Sequence, residues 1–409
     1  MVWQVITGSI LAGLLALIVF LAWRGRRRIL RSAAASYGET ASESFGPVSV
    51  LIPCYNDGEG AILAAEAALR ACPPRSEVLI LDDGSRVETR TVLRQAAAID
   101  GVRLYRNHTN IGKVATLNRW YQKAAHDRLV FLDSDVVVSK LAIAEILAAV
   151  QLPGVVAVNA PYQPMSHAFW PVLQWIEYGM VTLVLWAYNS NSAMMLLGTC
   201  FYVDRVALRA VDGFREDAIA EDMDLGFRLY QAGGRIVTTA TAIETEVPND
   251  WRIWWRQKRR WSMGGVQALV RYWRLWIKHP IQLFFIVVYG SVTLAGLFGL
   301  THTILFGVFY IIHMTPLEWA QLGTGIYEAG FLKTGAILLQ YLAWGLAFTL
   351  FSLPYAFPFL RSWRTAWRAL YVVPYAIVYV PLASAAYVWG AWVLLRKWQR
   401  NSLASRAKW

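Results

Sequence analysis

Apolar and polar positions follow two different regimes along this chain. Residues 3–23 run for 21 positions without a charged side chain, ~31 Å of helix at about 1.5 Å per residue, which is the span of a bilayer core. From residue 46 to about 246 the runs shorten, and strand-length segments alternate with helix-length ones, the arrangement that yields an α/β fold. Buried strands are expected at 48–52, 78–81, 129–132 and 155–159, each short and apolar, with a helix at 60–71 between the early ones.

Two stretches break this pattern. Residues 168–188 are apolar and aromatic but include Gln174 and Glu177, with Asn189 following. Such a segment is either a helix lying in a membrane interface or a buried core helix, and its polar residues favour the interface. Residues 251–278 hold eight Arg or Lys and six Trp with no acidic side chain, the composition of an amphipathic helix pair on an anionic membrane surface. A nucleic-acid patch has similar charge, but a long apolar run follows at once.

Beyond Pro280 the apolar runs are 281–314, 334–359 and 369–395. Three membrane passes are the simplest count. The first run, at 34 residues, is long enough for a broken helix and so for four passes. Arg24, Arg26, Arg27, Arg28 and Arg31 directly follow the first apolar run, which puts the N-terminus outside and the following region in the cytoplasm. The expected organisation is an N-terminal membrane helix with its basic flank (1–31), an α/β domain (46–248), amphipathic helices (249–279), a membrane region (280–396) and a basic tail (397–409).

Composition adds two constraints. An excess of 12 positive charges suits nucleic acid, an anionic membrane or a phosphorylated substrate, and the 20 Trp residues favour the membrane, since indole rings concentrate at its interface. Cys54, Cys72 and Cys200 are widely separated, and the six His form no ligand-spaced cluster, so neither a disulfide framework nor a Cys/His metal site is expected.

Four acidic or basic motifs carry candidate chemistry. Asp82-Asp83-Gly84-Ser85 follows a predicted strand, and ligands of open α/β sheets bind at strand carboxyl ends. An Asp-Gly turn is common in its own right. Asp133-Ser134-Asp135 also follows a strand, and alternate residues on an extended segment project the same way, so both carboxylates can reach one hard cation. Glu221-Asp222-Met223-Asp224 opens a helix that ends at Gly233-Gly234. Carboxylates in a first helical turn serve as dipole partners or as a base for an acceptor hydroxyl. Gln257-Lys258-Arg259-Arg260-Trp261 lies in the Trp-rich segment, where an Arg can bind a diphosphate and an indole can support a sugar ring.

Taken in order, with Val50-Leu51-Ile52-Pro53-Cys54-Tyr55-Asn56 and Gly112-Lys113-Val114-Ala115-Thr116-Leu117-Asn118, these motifs resemble the processive family 2 glycosyltransferases of GT-A fold, the group of poly-N-acetylglucosamine, chitin-oligosaccharide, hyaluronan and cellulose synthases. The resemblance covers residues 46–278 and the flanking apolar segments. It implies a Rossmann-like GT-A domain on the cytoplasmic face of a bacterial inner membrane, embedded between transmembrane helices. Pro53, Tyr55, Asp83, Lys113 and Asp133 would bind the nucleotide-sugar, with Mg2+ or Mn2+ at Asp133 and Asp135. Asp222 would be the general base with Glu221 beside it, and Gln257, Arg260 and Trp261 would clamp the acceptor or product.

The implied reaction is inverting transfer from a UDP-sugar, most simply UDP-N-acetylglucosamine, to a growing β-linked polysaccharide exported across the membrane. Addition of one sugar to a lipid acceptor is the alternative. Membrane lipids and accessory export or modification proteins are the implied partners, and nucleic acid is not. Two departures bear on polymer identity: Ala220 stands where cellulose synthases carry Thr, and Gly198-Thr199-Cys200 matches no named synthase.

Overall fold

The computed structural model describes residues 16–31, 45–189, 191–279 and 371–399. In chain order these are α1 (16–31), β1 (Ser49–Cys54), α2 (Gly58–Ala71), β2 (Glu77–Asp82), α3 (Val87–Ala96), β3 (Val102–Arg106), α4 (Lys113–Trp120), β4 (Arg128–Leu132), β5 (Val136–Val137), α5 (Lys140–Val150), β6 (Val155–Asn159), β7 (Tyr162–Pro164), α6 (Phe169–Tyr188), β8 (Cys200–Asp204), α7 (Arg205–Ala210), α8 (Glu221–Gln231), β9 (Arg235–Thr238), β10 (Ile243–Thr245), α9 (Trp251–Arg271), α10 (Trp273–Lys278) and α11 (Val380–Gln399).

The four expected strands are β1, β2, β4 and β6, and they join a seven-stranded sheet of order β3-β2-β1-β4-β8-β6-β9. Every pairing is parallel except those of β8, which runs antiparallel between β4 and β6. Strands buried on both faces need apolar residues at every position rather than at alternate ones. In β1, Val50 and Ile52 pack with α2 and α5 on one face, while Leu51 packs with α4 and α8 on the other. The helix α2 covers its face with Ala61, Ala64, Ala65 and Ala68, one stripe at helical spacing, and Asp57 caps its start by accepting from the Gly60 N–H at 3.2 Å. A second, three-stranded sheet of order β5-β10-β7 sits beside the end of β4.

The helix α6 is largely buried among the described residues. Leu183, Trp186 and Ala187 pack on Ile18, Val19 and Ala22 of α1, while Leu173, Trp175 and Ile176 pack on Trp254, Tyr375 and Tyr379. Its polar residues do not need water, because Gln174 Nε2 donates to the Pro248 carbonyl at 2.8 Å and Glu177 is ion-paired with Lys258.

The basic, Trp-rich segment folds into the helix pair α9 and α10. Trp254, Lys258, Ser262, Gly264 and Gln267 face inward, while Trp251, Ile253, Val270, Trp273 and Ile277 are exposed. Among the described residues no helix is long and apolar enough to cross a membrane. The passes expected at 281–314 and 334–359 lie outside the described residues, as do positions 3–15 of the first apolar run, 369–370 of the last one, the linker from 32 to 44, and residues 400–409 of the tail.

Candidate active site

The parallel strands bring the carboxyl ends of β1, β2 and β4 to one edge of the sheet, and the predicted motifs meet there. After β2, Asp82 Oδ1 accepts from the Ser85 N–H at 2.9 Å and closes a turn at Gly84. Gly84 has φ +73°, and a Cβ there would lie 2.4 Å from the Thr109 carbonyl carbon, so only glycine fits. Asn56, in the left-handed region at φ 58°, ties the end of β1 to this turn: its N–H donates to Ser85 Oγ and its Oδ1 accepts from the Arg86 N–H, both at 2.9 Å. Pro53 is buried within β1 and Tyr55 is half-buried just beyond it.

Asp83 is fully buried, and both of its oxygens are engaged. Oδ1 accepts from the Ile111 N–H (2.9 Å), Thr116 Oγ1 (2.9 Å) and Asn107 Nδ2 (3.0 Å), and Oδ2 accepts from the Gly112 N–H (2.8 Å). The sequence pattern assigns Asp83 to the wall of a nucleotide pocket. In this geometry it fastens the loop that delivers Lys113 at the start of α4.

Lys113 Nζ lies 2.6 Å from Asp133 Oδ1 and 3.2 Å from Glu221 Oε1, so it joins the β4 motif to the α8 motif. Ser134 donates to Asp57 Oδ2 at 2.7 Å, and across this turn Asp135 lies within electrostatic range of Asp133. Asp222 lies against Gly198, where a Cβ would come within 2.7 Å of Asp222 Oδ2. At Gly264 of α9 a Cβ would meet Ala220 Cβ at 2.6 Å. That close approach carries Arg260, one turn earlier, into electrostatic range of Asp133, Glu221 and Asp222.

The rest of the α9 motif lies alongside. Gln257 Oε1 is buried with no hydrogen-bond partner among the described residues, an acceptor left open. Trp261 is half-buried, with its ring 6.2 Å from that of Tyr178.

The charges interact strongly. Burial pushes Asp135 up to about 7, with help from Asp133, and burial followed by the charge of Glu221 pushes Asp222 up to about 6. Asp133 is also raised, its burial outweighing Lys113. Burial would raise Glu221 too, but Lys113 and Arg260 bring it below the ordinary carboxylate value. Burial would depress Lys113, yet Asp133 and Glu221 hold it far above its usual value.

Four carboxylates (Asp133, Asp135, Glu221, Asp222) therefore face two cations (Lys113, Arg260). Among the described residues no group of three or more His, Cys, Asp or Glu is arranged to hold a metal by itself. Two carboxylates with surplus negative charge still fit a small hard cation such as Mg2+, which takes its remaining ligands from water and substrate phosphates.

The sequence names Thr116, Gly198, Glu177 and Lys258 within its segments and motifs without a supporting role, and it does not single out Asn107 or Gly264. Asn107 and Thr116 brace Asp83, Gly198 and Gly264 admit close contacts, and Glu177 pairs with Lys258. A glycine in a helix interior costs about 1 kcal/mol against alanine and so asks for a packing reason, and Gly264 carried that signal. Asn107 carried none.

A model of the family "glycosyltransferase like family 2" matches residues 46–264, more than half the chain. Among curated proteins, the chain is 27% identical over 257 residues to a beta-monoglucosyldiacylglycerol synthase of Nostoc sp., covering 57% of this chain and 52% of that one. It is 24% identical over 230 residues to the poly-beta-1,6-N-acetyl-D-glucosamine synthase of Staphylococcus epidermidis, covering 55% and 56%. The chain thus spans about half the length of the curated relatives it matches. Among solved structures, a mannosyltransferase from Pyrobaculum calidifontis in complex with GDP-Man and Mn2+ superposes with a TM-score of 0.54 at 17% identity, covering 83% of this chain and 97% of that one. At that identity the likeness establishes a GT-A-like α/β fold.

Proposed function

The chain belongs to the family 2 glycosyltransferases, and on that premise we propose that it transfers a sugar from a UDP-sugar to a hydroxyl acceptor at a membrane surface, with inversion at the anomeric carbon. The observation that carries this reading is the convergence of Asp133 and Asp135, Glu221 and Asp222, Lys113 and Arg260 from four separate elements onto one sheet edge.

In this reading the nucleotide lies over the ends of β1 and β2, by Pro53, Tyr55 and the loop that Asp83 fastens. Asp222, ionised above about pH 6, accepts the proton of the acceptor hydroxyl. That oxygen forms its bond to the anomeric carbon as the bond from that carbon to the diphosphate oxygen breaks. Glu221 stays negative beside Asp222 and keeps it basic enough to act. Lys113 and Arg260 offset the charge of the departing diphosphate. Mg2+ or Mn2+ held by Asp133 and Asp135 would add charge neutralisation at the same phosphates. Gln257, Arg260 and Trp261 hold the acceptor side.

The preferred donor is UDP-N-acetylglucosamine and the preferred product a β-linked polymer, supported by the relation to a poly-N-acetylglucosamine synthase and by the motif at Gln257 to Trp261. A second reading, one sugar added to a membrane lipid, is favoured by the relation to a glucosyldiacylglycerol synthase and by the exposed apolar side chains Trp251, Ile253, Trp273 and Ile277 beside the clamp. Both place the catalytic domain on the cytoplasmic face of a bacterial inner membrane, with the apolar runs outside the described residues as its anchors and accessory export proteins as partners of the polymer route.

Mass spectrometry of the product made in lipid nanodiscs from UDP-N-acetylglucosamine separates the readings. A ladder of amino-sugar oligomers supports the polymerase, and a single lipid-linked sugar moves the protein to the second reading.

A further inference from the structure

A buried ionic cluster lies behind the clamp and takes no part in the reaction described above. The Lys258 side chain has no exposure at all and pairs with Glu177 of α6. Glu177 Oε2 also accepts from Tyr379 Oη at 2.7 Å, and Oε1 from Tyr387 Oη at 3.4 Å. Tyr379 Oη in turn accepts from Trp254 Nε1 at 2.9 Å. Three segments distant in sequence, α6, α9 and the region around α11, are thereby tied at one point. The Lys258 ammonium lies 3.9 Å from the centroid of the Trp261 ring and 5.3 Å from that of Tyr178.

A buried ion pair is weak evidence for stability, because well-packed apolar residues of similar volume hold such a site as well or better. What an apolar pair cannot supply is a fixed cation against one face of an indole, an attraction that strengthens when the charge is removed from water. Trp261 is the residue immediately beyond the Arg260 that reaches the carboxylates, and its ring is held from beneath while Tyr178, within electrostatic range of Asp135, stands beside it.

We propose that Glu177 and Lys258 are positioning residues for the acceptor platform: Glu177, steadied by Tyr379 and Tyr387, fixes the Lys258 ammonium under the Trp261 ring and so sets the plane on which an acceptor sugar stacks. The proposal rests on the reading of Trp261 as an acceptor clamp. It makes the region around α11 part of the machinery that orients the acceptor, although none of its residues is a catalytic residue.

The test uses the full chain in nanodiscs and a neutral replacement of the pair, Glu177→Gln with Lys258→Met. The glutamine keeps an acceptor oxygen for one tyrosine hydroxyl and turns its NH2 to the other, whose oxygen can accept, and no charge is left unpaired. The expected result is a melting temperature close to that of the parent, an unchanged dissociation constant for UDP, and product formation lower by about tenfold. Adding Trp261→Ala to the neutral pair should cause no further loss, because the two changes remove one arrangement. Parental product formation in the folded neutral pair, with Trp261→Ala alone inactive, overturns this proposal and leaves the clamp intact. Parental product formation by Trp261→Ala alone removes the clamp and this proposal with it. If the neutral pair fails to fold, Lys258→Arg decides, since a guanidinium keeps both the ion pair and the cation beneath the ring. It should retain product formation that Lys258→Gln loses, and equal loss in both overturns the proposal.

Discussion

Replacing Asp222 by asparagine should separate stability from catalysis. The carboxyl is half-buried beside Glu221, and its pKa rises from an ordinary 3.8 to about 6. At 1.36 kcal/mol per pH unit, keeping it ionised at neutral pH costs the folded state up to about 3 kcal/mol. The sign follows from the direction of the rise: the folded state binds this proton more tightly than the unfolded chain, so the penalty is fully present above pH 6, fades as the pH falls, and is gone below about 4. Asparagine matches the neutral carboxyl in shape and carries no charge. Asp222→Asn should therefore raise the melting temperature at pH 7.5, by about 6–12 °C for a domain of this size, with the gain vanishing near pH 4. Transfer should fall by about 10²–10⁴, the usual share of a general base, while UDP binding stays near that of the parent, since the base acts on the acceptor. Differential scanning fluorimetry across pH, UDP titration calorimetry and a transfer assay on one preparation give all three quantities. A variant that is less stable at neutral pH, or that loses UDP binding and transfer together, would refute the reasoning. In the unaltered protein the same titration predicts a transfer rate that declines below about pH 6 as Asp222 takes up its proton.

Three further outcomes follow from the same geometry. Asp135→Ala removes one of the two carboxylates assigned to the cation, so the stimulation of UDP binding by Mg2+ or Mn2+ should disappear in calorimetry; stimulation of parental size would reject the assignment. Gly264→Ala puts a Cβ 2.6 Å from Ala220 Cβ, and the overpacking, typically about 1–3 kcal/mol, should lower the melting temperature and cut transfer by moving α9 off the start of α8; a variant with parental rate would show that this approach is not needed. Asp83→Asn keeps the shape but leaves one donor in the loop unmatched, at a cost of about 1–3 kcal/mol, and should weaken UDP binding through Lys113; loss of stability without loss of affinity would confine Asp83 to the core.

The strands that carry the site were legible because buried parallel strands require unbroken apolar runs, and residues 48–52, 78–81, 129–132 and 155–159 supply them within a residue or two of β1, β2, β4 and β6. The reversed strand β8, Cys200–Asp204, carries a comparable apolar run in Cys200-Phe201-Tyr202-Val203, which the four strand expectations did not include. Its sequence fits a strand of either direction, and only the neighbours β4 and β6 fix its sense. The burial of α6 was not legible because Gln174 and Glu177 read as residues that need water, whereas their partners, the Pro248 carbonyl and Lys258, lie more than seventy residues away. Asp133, Asp135, Glu221 and Asp222 were legible as motifs, and Lys113, Glu221 and Asp133 do meet. The role of Asp83 was not legible, since Asn107 and Ile111 come from a loop with no pattern of its own, and Gly112 and Thr116 come from a motif whose hold on Asp83 shows only in the fold.

The most direct test of the central claim, that this sheet edge is a metal-assisted sugar-transfer site, is release of UDP from a panel of UDP-sugars by the purified full chain in nanodiscs, with Mg2+ or Mn2+ and then with EDTA. The account predicts release from UDP-N-acetylglucosamine that is lost in EDTA and restored by either cation, with Asp222→Asn and Asp133→Ala inactive beside the parent. Release that continues unchanged in EDTA, or that survives both substitutions, would contradict it.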